Sequence, residues 1–128
     1  MGIPTERLAR LAAEHRGFRL LVLFGSRARG DAHAQSDWDF GYLSDERVDP
    51  AALVTSLVDC LATDRVDLTD LARAGALLRF RAAAEGHPVY ASDPAAFERF
   101  WLDAVSFWCD AGPILRAGYA DVLARLRR

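Results

Sequence analysis

This chain of 128 residues contains no lysine, and arginine takes its place throughout. That absence excludes mechanisms that need a lysine amine, such as a Walker A phosphate loop, a Schiff base or a covalent lysyl-adenylate. Cysteine is sparse as well, since Cys60 and Cys109 are isolated thiols without the paired spacing of a metal or redox site. His15, His33 and His87 are equally scattered, so no pattern of zinc ligands is present.

Long apolar runs are also missing. The longest ones, such as residues 20–24, fall far short of the roughly 20 residues that a membrane-spanning helix needs. Three of the first ten residues, Glu6, Arg7 and Arg10, are charged, where a signal peptide would carry its apolar stretch. The net charge of −2 and a pI of about 5.9 leave no broad basic surface for nucleic acid. We therefore expect a cytoplasmic protein without membrane association or direct nucleic-acid binding.

Hydrophobic periodicity and chain-breaking residues divide the sequence into nine elements, which fit a single domain over 1–128. The order alternates helix and strand and predicts an α/β (α+β) fold, a small mixed β-sheet of about four strands flanked by helices. The expected elements are a helix over 5–15 capped by Thr5, a buried strand Phe18–Phe24, a turn or short helix after Gly25, a strand over 37–43, a helix over 51–62, a strand over 66–68, a helix over 71–85, a strand over 89–91, and a helical segment over 94–128 capped by Asp93.

The helical segment at 94–128 is expected to break near Gly112 and Pro113. It carries an unusually wide apolar face, made of Phe97, Phe100, Trp101, Val105, Phe107 and Trp108. Such a face packs either against the sheet as core or against a partner protein, and both interpretations remain open.

A Gly-Ser pair follows directly on the first buried strand. Gly25 allows close approach of the backbone to a phosphate, and the next N–H groups and the Ser26 hydroxyl can donate hydrogen bonds to it. Arg27 and Arg29 come next and offer planar guanidinium groups for the same anion, unless they are ordinary surface residues. Gly25, Ser26, Arg27 and Arg29 are therefore candidate nucleotide-binding residues.

Acidic residues follow ten positions later. Asp37 and Asp39 are two apart on an expected strand, so their carboxylates project from the same face. Adjacent carboxylates repel each other, and a hard cation such as Mg²⁺ would neutralise them. Asp67, between two apolar residues, supplies a third carboxylate if its strand is the neighbour, while Asp64 and Asp70 remain alternatives. Three carboxylates can hold two Mg²⁺ ions about 3.5–4 Å apart for an in-line phosphoryl transfer.

The segment LFGSRARGDAHAQSDWDF resembles the motif of the DNA polymerase beta-like nucleotidyltransferase superfamily: Gly-Ser, ten residues, then Asp-x-Asp. VDLTDL resembles the segment that carries its third carboxylate. The compact spacing and the GSRARG form are most similar to minimal nucleotidyltransferases (MNT), the antitoxin half of HEPN/MNT toxin–antitoxin pairs. The resemblance covers about residues 18–70. It implies a polymerase beta-like fold, Mg²⁺ binding by Asp37, Asp39 and Asp67, and binding of the ATP triphosphate by Gly25 and Ser26.

The same resemblance implies that the chain transfers AMP from ATP to a tyrosine of a partner HEPN ribonuclease and so silences it. Two alternatives stay open. One is a small-molecule enzyme similar to the aminoglycoside nucleotidyltransferases, although the chain lacks their additional helical mass, and the other is an antitoxin that acts by binding alone. Phe40-Gly41-Tyr42 departs from the usual aliphatic continuation of the strand, which leaves the local packing open.

Overall fold

The computed structural model describes residues 2–45, 47–110 and 124. Within these ranges the chain forms one four-stranded sheet with helices on both faces, which confirms the predicted mixed sheet of about four strands. The strands are β1 (Phe18–Phe24), β2 (Trp38–Ser44), β3 (Val66–Asp70) and β4 (His87–Ala91), and the helices are α1 (Thr5–Glu14), α2 (Ser26–Arg29), α3 (Pro50–Leu61), α4 (Ala76–Glu85) and α5 (Ala96–Cys109). No helix in these ranges is long and apolar enough to cross a membrane.

The strand order across the sheet is β3-β2-β1-β4. β1 runs antiparallel to both β2 and β4, whereas β2 and β3 are parallel. As a result, the carboxyl end of β1 meets the amino ends of the three other strands. Residues that follow β1 and residues that begin β2, β3 and β4 are therefore collected at one end of the sheet.

β1 lies in the centre of two apolar layers, which explains its uninterrupted apolar sequence. Its side chains alternate between the faces. Leu21 and Leu23 pack with Phe40 beneath α1 and α3, whereas Leu20 and Val22 pack beneath α4 and α5. All five residues are fully buried, so the sheet is held from both sides.

Two helix starts differ from the sequence-based prediction. Thr5 is not a cap, because α1 begins at Thr5 itself and the Thr5 hydroxyl donates to the carbonyl oxygen of Ile3 at 3.3 Å. Asp93 is not the cap of α5, which begins at Ala96. Its carboxylate instead accepts a hydrogen bond from the Ala95 N–H at 3.0 Å, in a turn that precedes the helix. Both errors arise because a polar residue near a helix start can bind locally instead of capping.

The helix expected over 71–85 begins only at Ala76. β3 continues to Asp70, and the Leu71 N–H donates to the carbonyl oxygen of Tyr42 at 3.0 Å, so the chain stays bound to β2 longer than predicted. The other strand and helix boundaries shift by at most two residues, and β4 includes Pro88. The expected break near residues 112 and 113 lies outside the described residues.

Gly41 in the middle of β2 makes room for Leu71. A Cβ atom at Gly41 would lie 2.6–2.9 Å from three carbon atoms of the Leu71 side chain, which is fully buried. Leucine thus fills the space that an aliphatic residue on the strand would otherwise occupy. This packing accounts for the departure of Phe40-Gly41-Tyr42 from the aliphatic pattern.

We expect Gly41→Ala to lower the free energy of unfolding by about 1–3 kcal/mol, because the added methyl group collides with a buried side chain. Gly75→Ala is the matched control, since a Cβ atom at Gly75 has no neighbour within 4 Å. Urea denaturation measures both. In a Leu71→Ala background the cost of Gly41→Ala should largely disappear. Equal stability of Gly41→Ala and Gly75→Ala would contradict this account of the packing.

Candidate active site

The end of the sheet at which β1 terminates gathers the acidic residues singled out from the sequence. Phe24 of β1 pairs with Asp39 of β2, and Asp39 in turn pairs with Asp67 of β3. Directly paired residues project from the same face of a sheet. Asp37, two residues before Asp39, is on that face as well. The register therefore brings Asp37, Asp39 and Asp67 together beside the turn that follows β1.

Gly25 brings the backbone of that turn against Asp39. Its φ of +77° is favourable only for glycine, and a side chain there would collide with the Asp39 carboxylate. Ser26 follows as the first residue of α2. The close approach places the Gly25–Ser26 backbone immediately next to the carboxylates, where a phosphate bound by the turn would also meet them.

Asp39 has a perturbed pKa. Its burial, followed by the negative charges of Asp67 and Asp37, raises the pKa of Asp39 above its usual value. The positive charges of Arg81 and Arg29 act in the opposite direction without reversing the shift. The protein thus holds a partly buried negative cluster that a cation would stabilise.

The donor set fits Mg²⁺, a hard cation that prefers oxygen ligands. Within residues 2–45 and 47–110, no three acidic, histidine or cysteine side chains are arranged so that they could hold a metal ion as they stand. Asp37 and Asp67 are exposed near Asp39, and the Asp37 carboxylate forms a long ion pair of 3.9 Å with the Arg65 guanidinium. Such an open arrangement suits Mg²⁺, which usually takes one or two carboxylates together with phosphate oxygens of the substrate.

The three neighbouring aspartates that could supply the third carboxylate are placed differently. Asp67 lies opposite Asp39, and Asp64 lies on the rim of a cavity of about 380 Å³ that Asp37 and Asp67 also line. Asp70 is three residues from Asp67 on the same strand and so faces the other side. Its carboxylate accepts a hydrogen bond from the Ala72 N–H at 3.0 Å, within a turn.

The structure separates the two candidate arginines. Arg29 is on the carboxylate side, where its guanidinium binds Glu85 at 3.1 Å. The Arg27 guanidinium lies 4.6 Å from the ring centroid of Trp38 and donates to the carbonyl oxygen of Ser36 at 3.0 Å. The Trp38 side chain points to the opposite face of the sheet from the neighbouring aspartates. Arg27 therefore stabilises the loop before β2 on that opposite face.

Sequence reasoning missed Arg81 and Glu85 of α4 and His87 at the start of β4. Glu85 forms an ion pair with Arg29, and the His87 imidazole is hydrogen-bonded to the carbonyl oxygen of Ala28 at 3.1 Å. Both contacts connect α2 to the rest of the domain. Arg81 and Glu85 are four residues apart and look in the sequence like an ordinary surface ion pair. The packing of Ala82 and Ala83 of α4 against β1 brings them to the site.

Comparison with known proteins gives a consistent result. Residues 6–95 match the family model described as polymerase beta nucleotidyltransferase. The protein adenylyltransferase MntA of Aphanizomenon flos-aquae (strain 2012/KM1/D3) is 30% identical over 115 residues, which cover 77% of this chain and 77% of that relative.

Among solved structures, a toxin–antitoxin crystal structure with AMP-PNP superposes with a TM-score of 0.73 at 23% identity, covering 98% of this chain and 100% of that one. A tri-AMPylated Shewanella oneidensis HEPN toxin in complex with an MNT antitoxin gives a TM-score of 0.64 at 22% identity, covering 97% and 96%. The expected polymerase beta-like fold and the resemblance to minimal nucleotidyltransferases are thereby confirmed.

We expect Asp39→Asn to raise the melting temperature at pH 7 in the presence of EDTA, because it removes one of three repelling carboxylates. The pKa of Asp39 is higher in the folded than in the unfolded protein, so its ionisation destabilises the fold at any pH above the folded pKa. The advantage of the variant should therefore shrink as the pH falls through the folded pKa and below the ordinary aspartate pKa, where wild-type Asp39 is protonated in both states. Asp64→Asn, at the cavity rim, is the control and should show a smaller difference. A pH-independent difference would contradict the charge-based explanation.

Proposed function

This chain belongs to the polymerase beta nucleotidyltransferase family, and from that premise we propose that it is an antitoxin that transfers AMP from ATP to a tyrosine of a HEPN-type ribonuclease toxin. The observation that carries the proposal is the pairing of Phe24, Asp39 and Asp67 across three strands, with Gly25 packed against the Asp39 carboxylate. The Gly25–Ser26 turn and three carboxylates thus lie at one end of the sheet, which supports a site for a phosphate and a cation. The similarity to a relative named as a protein adenylyltransferase supports AMP as the group transferred.

Gly25 and Ser26 are proposed to bind the triphosphate, with Arg29 beside them as a cationic contact. The tyrosine oxygen of the acceptor attacks the α-phosphorus, the bond between that phosphorus and the bridging oxygen breaks, and pyrophosphate leaves. The proton of the hydroxyl passes to a carboxylate of the site. Asp67 is suited to this role because its side chain is exposed beside Asp39 and accessible to an incoming hydroxyl.

Asp37, Asp39 and Asp67 are proposed to hold Mg²⁺, with room for two ions. When bound there, Mg²⁺ would neutralise the carboxylates and stabilise the negative charge on the transferring phosphoryl group. The perturbed pKa of Asp39 supports this assignment, because its causes are burial and two like charges that a cation would offset. Arg27 is left out of the proposed nucleotide contacts, because it is bound to Ser36 and Trp38 on the other face.

The acceptor is proposed to come from a second protein, because a chain of 128 residues has little mass with which to enclose one. The apolar face predicted on the last helix supports this. Phe100 is buried against the sheet, but Trp101, Leu102 and Phe107 of α5 are 42%, 53% and 51% exposed. Exposed aromatic residues of this kind are frequent at interface hot spots, so we place the docking of the toxin on the segment 94–128.

The central experiment mixes the chain with ATP, Mg²⁺ and a HEPN-type protein encoded by a neighbouring gene. Intact-mass spectrometry is expected to show addition of AMP to that partner, with loss of the signal in EDTA. Asp39→Asn should reduce the transfer rate by at least about 10²-fold, since charge stabilisation dominates the barrier of phosphoryl transfer. A partner that binds without gaining mass would favour an antitoxin acting by occlusion. Adenylylation of a small alcohol, with no binding to the partner, would favour the small-molecule enzyme.

The identity of the third carboxylate is tested by comparing Asp67→Asn with Asp64→Asn. We expect Asp67→Asn to slow AMP transfer by at least about 10²-fold, because it removes a proposed ligand or base. Asp64→Asn changes an acidic residue of the same cavity and should stay within about threefold of the wild type. The reverse order would transfer the assignment to Asp64. Circular dichroism of both variants checks that the fold is retained.

A further inference from the structure

Arg81 of α4 projects toward the end of β1. Its guanidinium lies 5.9 Å from the ring centroid of Phe24, the residue that precedes the Gly25–Ser26 turn. Its side chain is only 18% exposed. Its positive charge acts on Asp39, which places it on the carboxylate side of the sheet. A residue of a distant helix thus contributes a largely buried cation to the edge of the proposed nucleotide site.

The hydrogen-bonding capacity of this guanidinium is underused. The buried Arg81 Nε has no hydrogen-bond partner among the described residues. The ion pair from Arg81 Nη2 to Glu85 Oε2 measures 3.9 Å, which is too long for a hydrogen bond. Burying such a donor without a partner costs free energy, whereas an anion with several oxygen atoms would satisfy it.

Glu85 connects Arg81 to Arg29. The Glu85 side chain is 9% exposed and lies 3.1 Å from Arg29 Nη1 as well as 3.9 Å from Arg81 Nη2. One carboxylate is therefore shared by two guanidinium groups from different helices. With Asp31, which lies 3.3 Å from Arg29 Nε, the cluster joins two guanidinium groups and two carboxylates on the side of Asp39 that is covered by α2 and α4.

We propose that Arg81 is a further nucleotide-binding residue, which contacts the β- and γ-phosphates of ATP while Glu85 positions it beside Arg29. This inference rests on the proposed function and extends it. The α-phosphate would lie beside the carboxylates. The β- and γ-phosphates, which leave together as pyrophosphate, would lie beside Arg29 and Arg81. Arg81 would then favour triphosphates over monophosphates.

Arg79 provides a matched control on the same helix. Its Nε is also buried without a partner, and its guanidinium also lies over an aromatic ring, 5.6 Å from the centroid of Phe107. Arg79 and Arg81 are two positions apart in the helix, which corresponds to about 200° around its axis, so Arg79 points away from the site. It lines a separate cavity together with Arg19 and Arg99. A purely structural role of Arg81 would make the two arginines behave alike.

The test measures binding by calorimetry, in Mg²⁺ buffer, of AMP and of α,β-methylene-ATP, in which the bond to be broken is blocked. Arg81→Met keeps the aliphatic part of the side chain and removes the charge. We expect it to weaken α,β-methylene-ATP binding by about 10- to 100-fold, the size of a lost charge-assisted contact, and AMP binding by less than about threefold. Arg79→Met should leave both affinities within about threefold of the wild type.

Equal weakening of both ligands by Arg81→Met, or the same selective loss in Arg79→Met, would overturn the inference. If Arg81→Met does not fold, Arg81→Lys is measured in its place, and its affinities for α,β-methylene-ATP and AMP are compared in the same way. Lysine keeps the positive charge but not the planar fork of the guanidinium. A selective loss of about 3- to 10-fold for α,β-methylene-ATP then supports the inference, and an unchanged ratio refutes it. Failure of the wild-type chain to bind α,β-methylene-ATP at all would instead reject the proposed function.

Discussion

The antiparallel pairing of β1 with β2 sets Phe24 opposite Asp39, and the parallel pairing of β2 with β3 sets Asp39 opposite Asp67. A slip of one residue in either register would turn the carboxylates to the opposite face, because side chains alternate along a strand. The two apolar layers prevent such a slip, since it would also expose Phe40 and bury its polar neighbours. The position of the acidic residues is thus a consequence of core packing.

The same packing also holds negative charges close together against their repulsion. The free energy for this comes from apolar residues around β1, which are buried on both faces of the sheet. The positive charges of Arg81 and Arg29 partly offset this repulsion from the side of α2 and α4. The ionised carboxylate of Asp39 therefore lowers the stability of the fold, and such a perturbed group is common at functional sites.

Much of the fold followed from the sequence because its signals are local. The apolar run of β1 lies between strong breakers, and the strand Phe18–Phe24 is confirmed without a shift. Local rules failed where tertiary hydrogen bonds prevail: Leu71 stays paired to Tyr42, so α4 begins later than its alanine-rich sequence suggests. The motif located Asp37 and Asp39. Arg27 and Arg29 lie on opposite faces of the sheet, and Arg81 lies near the site, because of how distant elements pack. No spacing in the sequence reveals that packing.

β4 is an edge strand of five residues, and Pro88 within it lacks an N–H group. Its pairing with β1 is also irregular, with a shift between Leu21 and Val22. A short, irregular edge with a missing donor is a poor template for the addition of another strand. This edge therefore resists aggregation through backbone pairing, and a protein that binds at this side of the domain must recognise side chains instead of extending the sheet.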